Sequence, residues 1–570
     1  MNPSLLFPRR RWLLAGTAAA LLAGCAAPSS APGTAGVPGP STSAAVPAGA
    51  RPRLIVFIAV DGLPQRQVTN YRDQLGPDGL ARFLDRGAWF SQAHYGHAFT
   101  VTAAGHATML TGAYPHRTGI IGNDWRDPAT GEMVYCTSDT SATYLGGNPT
   151  QPLDGTSPKN LRVTTVGDVL RERDPRAKVI GISGKDRGAI LPAGKTGTAY
   201  MYMGGSGQFA SSTFYMPAHP AWVDRFNAAK PADRYFKQTW APLLDDAAYA
   251  RSLPDGQPWY PKPGPAASGL PAVMGAGMDA PGPAYYAALL RGPFADELTL
   301  DFARAAIAGE GLGQDEVPDI LSISLSGHDY VNHAFSAESR LSHDHLLRLD
   351  RMLQDFFRDL DATVGKDRYV AVLTADHGFT PAPETLQAKG LPAGRQSLGT
   401  ALTRMNEALA KRFGEGKWIS GYSASTVLFD KTLVAARNVD PNELAEEARR
   451  VLLAEPGIGA VYTRRELEGN TRVGEPYFAQ MRRAWHPQVS GDLQLAVKLH
   501  WMIGSVGATH GSPHEYDNHV PILFYGPRWV GTGRVDTPVE EVDVAPTLAR
   551  LLGVPPPPAA EGRLLPLPAP

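Results

Sequence analysis

Acids and histidines recur in this chain where apolar runs end. "RLIVFIAVDG" (53–62) is a continuous β-branched run closing on Asp61. "VPDILSISLSGHDYVNH" (317–333) runs into Asp329 and His333, and "DRYVAVLTADHGF" (367–379) runs into Asp376 and His377. His510 stands in a glycine-bracketed loop, "GATHGSPHEYDNHVP". Carboxylate oxygens and imidazole nitrogens are hard or borderline donors that suit a divalent cation such as Zn²⁺. Asp329 and His333 lie four apart, which places both on one face of a helical turn. Asp376 and His377 sit at a strand terminus, where alternation breaks and adjacent side chains can converge. Any one of these residues alone reads as a capping carboxylate or a core histidine. The same pattern at three strand ends argues for a shared site. Six donors exceed the need of one tetrahedral ion and suit two. Paired metals about 4 Å apart clamp the attacking and leaving oxygens of an in-line phosphoryl displacement.

Such chemistry also needs a hydroxyl and cationic clamps. "FTVTAAGHATMLTGAYPHRTGIIGNDW" (99–125) offers Thr100, Thr102, Thr108 and Thr111. The last two read as part of a following helix. A helix N-terminus just after Thr102 would favour an anion, and Ala103, Ala104 and Gly105 would allow close approach. His106, four residues after Thr102, reads as structural, because a metal-activated hydroxyl needs no imidazole base. "GKDRG" (184–188) supplies Lys185 and Arg187. On an extended segment these two point the same way, giving a compact charge and a planar fork for phosphate oxygens. Alone, "KDR" reads as a solvated turn. His514 and His519 read as supports behind the ligand loop or as surface loop residues.

The elements that must position these groups are strands and crossover helices. The buried runs at 53–62, 317–325 and 367–374 read as parallel strands. Ligand sites in open α/β sheets collect at the C-terminal ends of such strands. "NHVPILFYGP" (518–527) reads as a further strand, and "DVAPTLARLLGV" (543–554) as a terminal amphipathic helix. Leu346, Leu349, Leu353, Phe356, Phe357 and Leu360 recur at helical spacing and mark a crossover helix. "TTVGDVLRERDP" and "AKVIGISGKDRGAI" form another helix–strand unit. The expected fold is α/β: a doubly wound, mostly parallel central sheet with helices on both faces. It spans residues 51–554, with insertions near 195–295 and 385–508 and a Pro-rich tail over 555–570.

The 570 residues, 43% hydrophobic and 19% charged, describe a globular chain with a sizeable core. The net charge of −1 leaves no footprint for a nucleic-acid partner. "MNPSLLFPRRRWLLAGTAAALLAGC" sets three arginines before a 13-residue apolar run, too short to span a bilayer but right for a secretory leader. Leu22-Ala23-Gly24-Cys25 resembles a bacterial lipobox. The expectation is a lipoprotein-type signal peptide over 1–24, with membrane attachment only through a lipid on Cys25. Residues 25–50 are an Ala/Pro/Ser/Gly tether. Once Cys25 is lipidated, Cys136 stands alone and no intramolecular disulfide can form. Removal of the leader leaves 51 basic against 55 acidic residues, near −4.

The ordered set VDG, Thr, GNDW, KDR, D-x₃-H, DHG and THG resembles the alkaline phosphatase superfamily. Within it the chain is similar to the PafA-type periplasmic phosphatases, which use a threonine nucleophile and two Zn²⁺ ions. The resemblance runs through most of 53–554. It implies Thr102 as the residue that becomes phosphothreonine, with Asn123 lying 21 residues on and Lys185 another 62. Asp61, Asp376 and His377 would hold the zinc that activates Thr102. Asp329, His333 and His510 would hold the zinc at the leaving group. Asn123, Lys185 and Arg187 would bind phosphate oxygens. The implied function is hydrolysis of small-molecule phosphate monoesters at alkaline pH, with broad substrate choice and room for a side activity on diesters. The alternative is a nucleotide pyrophosphatase-type phosphodiesterase on the same core. The Lys185/Arg187 pair favours the monoester, whose dianion has one more charged oxygen. A sulfatase would need a Cys or Ser in a C/S-x-P-x-R context, which "YCTSDT" around Cys136 lacks. A metal-binding surface lipoprotein without catalysis would be signalled by a missing ligand or nucleophile, and none is missing.

Overall fold

The computed structural model describes residues 51–260, 268–505 and 507–570. The leader, the Cys25 anchor and the tether lie outside the described residues. Among the described residues, no helix is long and apolar enough to cross a membrane.

A nine-stranded sheet forms the centre of the fold. Its strands are β1 (Leu54–Val60), β2 (Ala88–Phe90), β3 (Val179–Ser183), β4 (Thr198–Met203), β5 (Gln208–Ala210), β6 (Asp319–Leu325), β7 (Tyr369–Thr374), β8 (Ile522–Tyr525) and β9 (Gly533–Val535). They lie in the order β9-β2-β8-β7-β1-β6-β3-β4-β5. The pairs β7–β1, β1–β6, β6–β3 and β3–β4 are parallel, whereas β8 runs antiparallel to both β7 and β2. Every residue of β1 is buried, because its two faces serve two cores. Val56, Ile58 and Val60 pack under helices at Pro293–Glu310 and Arg340–Thr363. Ile55, Phe57 and Ala59 face α1 (Thr102–Thr111), α2 (Val166–Arg173) and the helix Val544–Leu552. A strand covered on both sides must be apolar throughout, which is why these runs are legible without alternation.

Two expectations change. Residues 198–210 complete one edge of the central sheet as β4 and β5 instead of belonging to an insertion. Their Tyr- and Met-rich, glycine-flanked sequence hides a buried strand. The second change concerns Lys185 and Arg187. Lys185 is the N-cap of a helix, α3 (Asp186–Ala193), and Arg187 lies in its first turn. The segment is therefore not extended, yet both side chains still line one pocket together with Tyr330.

Residues 398–503 build a separate α/β unit around a four-stranded sheet of Ile419–Ser423, Thr426–Phe429, Leu493–Val497 and Ile458–Thr463. Helices Leu398–Phe413 and Pro441–Leu453 cover it, with Trp418 and Leu444 in its core. The C-terminal segment is docked onto the body. The Glu561 N–H donates to the carbonyl of Gly112, the residue that ends α1, at 2.7 Å. The Glu561 carboxylate accepts from the Tyr114 N–H, Leu565 is buried, and Pro568 O accepts from Gly531 N–H.

Candidate active site

The sheet brings the site together at one edge. Asp61 follows β1, Asp329 follows β6, Asp376 and His377 follow β7, and Lys185 follows β3. These four strands are adjacent and parallel, so their C-terminal ends lie side by side. Because β8 is antiparallel to β7, the loop before it arrives at the same edge and carries His510 there. The strand β2 is antiparallel to β8, so the chain leaving it also emerges there and leads into α1.

The donors converge in two overlapping sets. Oxygen and nitrogen atoms of Asp329, His333 and His510 lie within 4.8 Å of one another, as do those of Asp61, Asp329 and His377. His333 Nε2 is 3.4 Å and His510 Nε2 3.7 Å from Asp329 Oδ1. His377 Nε2 is 3.5 Å from Asp61 Oδ1 and 3.4 Å from Asp376 Oδ2. Asp329 and His333 share a helix, α4 (Gly327–Phe335), one turn apart. The rings of His377 and His510 stack at 3.4 Å between centroids.

These donors fit a metal. Asp61 Oδ1, Asp329 Oδ1, Asp376 Oδ2 and His377 Nε2 are buried without a hydrogen-bond partner, a costly state unless a cation completes it. Each histidine of the cluster is also turned the right way. The Nδ1 atoms of His333, His377 and His510 lie 2.9, 2.9 and 2.8 Å from the carbonyls of Ala508, Gly378 and Thr100. Donation of Nδ1–H to a carbonyl fixes the tautomer and leaves the Nε2 lone pair facing the cluster. Burial pushes His377 and His510 below the usual imidazole range, keeping them neutral and able to ligate. Asp61 is pushed up by burial and by the neighbouring Asp376. For Asp329, burial is outweighed by His333, Lys185 and His510, which hold it well below the usual range.

Lys185 is buried with its ammonium 2.6 Å from Asp329 Oδ2 and 2.7 Å from Asp61 Oδ2. Burial alone would lower its pKa, but Asp329 and Asp61 raise it, so it is a fixed positive charge. Arg187 Nη1 donates to Tyr135 Oη at 3.1 Å, while its buried Nε has no partner.

Thr102 opens α1 and is 1% exposed. It stands between two of these donors: the Thr100 carbonyl orients His510, and Gly105 abuts Asp376. A Cβ on Gly105 would lie 2.2 Å from the Asp376 carbonyl oxygen, so only glycine lets this helix approach the strand end. The hydroxyls of Thr100, Thr108 and Thr111 donate to the carbonyls of Ser512, Ala104 and Ala107. Among the described residues, Thr102 Oγ1 has no such acceptor. Asn123 Oδ1 accepts from Ala103 N–H at 2.9 Å, which leaves its amide N–H₂ free to donate. His106 is buried, with Nδ1 at 2.9 Å from the Thr102 carbonyl and Nε2 at 2.8 Å from Ser324 Oγ, as suits a structural residue. His514 and His519 pin their loop through the carbonyls of Val497 and Ser91.

The sequence reading passed over Asn332. Its Nδ2 donates to the Gly62 carbonyl at 3.0 Å and its Oδ1 accepts from Ser342 Oγ at 2.6 Å. Gly62 in turn donates its N–H to Asp376 Oδ1. Asn332 therefore ties α4 to the loop after β1. Its position three residues after Asp329 on the same helix was an available signal.

The model for the family described as type I phosphodiesterase / nucleotide pyrophosphatase matches residues 55–517. The chain belongs to that family. It is 34% identical to "Alkaline phosphatase PhoV" of Synechococcus elongatus, over 90% of this chain and 92% of that protein. It is 33% identical to "Alkaline phosphatase PafA" of Elizabethkingia meningoseptica, over 93% and 96%. The crystal structure of wild-type PafA superposes with a TM-score of 0.84 at 32% identity, covering 92% of this chain and 99% of that one. A further PafA structure carries substitutions at a threonine, an asparagine, a lysine and an arginine separated by 21, 62 and 2 residues. Thr102, Asn123, Lys185 and Arg187 stand at the same intervals.

Proposed function

We propose that this protein is an alkaline phosphatase that hydrolyses phosphate monoesters through a phosphothreonine at Thr102. The observation that carries the reading is the convergence of six metal-competent donors on the N-terminus of the Thr102 helix. The alkaline phosphatase relatives and the matching intervals of the four phosphate-handling residues support it. Two Zn²⁺ ions suit the donor set, one on Asp61, Asp376 and His377 and one on Asp329, His333 and His510. When bound, such ions supply Lewis acidity that lowers the pKa of the threonine hydroxyl and neutralises charge on the departing oxygen.

The chain's own residues do the rest. Thr102 presents Oγ1 at a helix N-terminus, where free backbone N–H groups favour an incoming phosphate. Its oxygen, having given its proton to solvent, bonds to phosphorus as the P–O bond to the ester oxygen breaks and the departing alkoxide takes a proton from water. A second water then cleaves the P–Oγ1 bond, releasing inorganic phosphate and returning a proton to Oγ1. Asn123 donates its amide to one phosphate oxygen. Lys185 and Arg187 answer the extra charge of a monoester dianion, so positioning and electrostatics carry the rate. Export and attachment through Cys25 to a bacterial membrane, with the body in the periplasm, complete the proposal; the leader pattern and lipobox-like Cys25 support them. The test is kcat/KM on p-nitrophenyl phosphate and bis-p-nitrophenyl phosphate, with metal analysis of the same sample. A monoester preference that is abolished by chelation and restored by zinc is expected. A diester preference would return the assignment to the phosphodiesterase alternative.

A further inference from the structure

The ligands His333 and His510, with Asn123, also line a cleft of about 320 Å³ that opens beside the phosphate position. One wall is Phe99 and Val101, on the segment leading into the Thr102 helix. Phe99 lies against Gly511, beside His510; a Cβ on that glycine would be 3.2 Å from its ring. The opposite wall comes from the separate α/β unit, through Tyr422, Leu495, Val497 and Ile503. Phe99, Tyr422 and Ile503 are only partly buried, so their apolar surface is open to a ligand. Among the described residues lining the cleft, none is Lys or Arg, and its single carboxylate, Asp517, is engaged by Ser512 and Thr380. The Lys185 ammonium stands elsewhere: it meets Asp329 through Oδ2, while His333 and His510 meet that carboxylate through Oδ1.

We propose that this cleft receives the alcohol portion of the ester and selects uncharged, apolar leaving groups, aryl or arylalkyl, over small polar or anionic ones. The inference rests on the phosphatase reading above. A cleft of this size can bury a phenyl ring between its two apolar walls, although Asn123, Thr380, Ser425 and Thr509 also line it. With no Lys or Arg on its walls, it gives a second anionic group at the far end of the alcohol no compensation for lost hydration.

The test uses the metal-loaded protein and three alkyl esters of similar leaving-group basicity: ethyl, 3-phenylpropyl and 3-carboxypropyl phosphate. Burial of the ring predicts kcat/KM for the phenylpropyl ester about tenfold or more above ethyl. The carboxypropyl ester is expected at or below ethyl. In Phe99→Ala and Ile503→Ala, the phenylpropyl-to-ethyl ratio falls about three- to tenfold, read as a ratio so that changes in overall rate cancel. A flat series in the unsubstituted protein, or a carboxypropyl ester as good as the phenylpropyl one, overturns the proposal. So does a ratio that survives in both variants. No turnover of any of the three would overturn the phosphatase reading itself, and this inference with it.

Discussion

The proposed metal site makes Lys185 a link between the stability of the protein and its metal content. Its ammonium is 2.6 Å from Asp329 and 2.7 Å from Asp61 in a buried site. At an effective dielectric of about 20, each pair is worth roughly 6 kcal/mol of Coulomb attraction before desolvation. Removing one partner of a buried pair typically costs about 3–5 kcal/mol, because the other charge is stranded. In Lys185→Met two carboxylates are stranded. Asp61, already pushed up by burial and Asp376, relieves the strain by taking a proton, which sets the loss near the low end, about 3 kcal/mol. A bound divalent cation, drawn to Oδ1 of the same two carboxylates, offsets their charge, so in zinc the variant should lose only about 1 kcal/mol, the difference appearing as tighter binding. That difference of about 2 kcal/mol is roughly a thirtyfold lower metal Kd. The assay is urea unfolding at pH 8 in chelator and in zinc, paired with a competitive zinc titration. Monoester turnover should nonetheless fall, because the phosphate clamp is gone. Equal destabilisation with and without zinc, or a Kd unchanged within threefold, would show that these carboxylates are not the metal's ligands.

Three further outcomes follow from the geometry. Thr102→Ala should cut monoester turnover by about 10³-fold or more, whereas Thr100→Ala, which loses the bond to Ser512, should mainly lower Tm; steady-state kinetics and a thermal melt on both variants separate them. Gly105→Ala puts a methyl 2.2 Å from a backbone oxygen, so a stability loss of about 3 kcal/mol and a fall in kcat of about 10²-fold from displacement of the Thr102 helix are expected in unfolding and rate measurements. Asp319 accepts the N–H groups of Lys178 and Gly313 far from the site and is pushed up to about 6 by burial. A folded pKa above the unfolded value gives stability that is full below pH 4 and lost as pH rises through 6. Relative to the unsubstituted protein, Asp319→Asn should therefore gain about 2 kcal/mol between pH 4.5 and pH 8; a constant difference across that range would refute the burial argument.

How much of this the sequence reveals depends on whether the deciding contact is local. Asp61, Asp329 and Asp376 are legible because strands buried on both faces must be continuously apolar, so the acid that ends each run stands out. His510 is legible only as a histidine between glycines; its arrival depends on β8 being antiparallel, which the apolar run does not encode. The Lys185–Arg187 turn is misread because glycines around it and Pro192 within it disguise a helix. The choice among threonines is not local at all: Thr100 is set aside by the carbonyl of Ser512, more than four hundred positions away.

The docked C-terminal segment bears on how the protein is made. Glu561 closes the far end of the helix whose near end is Thr102, through Gly112 and Tyr114. The donors themselves are drawn from Asp61 through His510. A nascent chain that stops short of His510 cannot bring the six donors together, and one that stops short of Glu561 cannot close the Thr102 helix. The order of the sequence thus sets an order of assembly: the first residues made for the cluster wait, uncommitted, for the last.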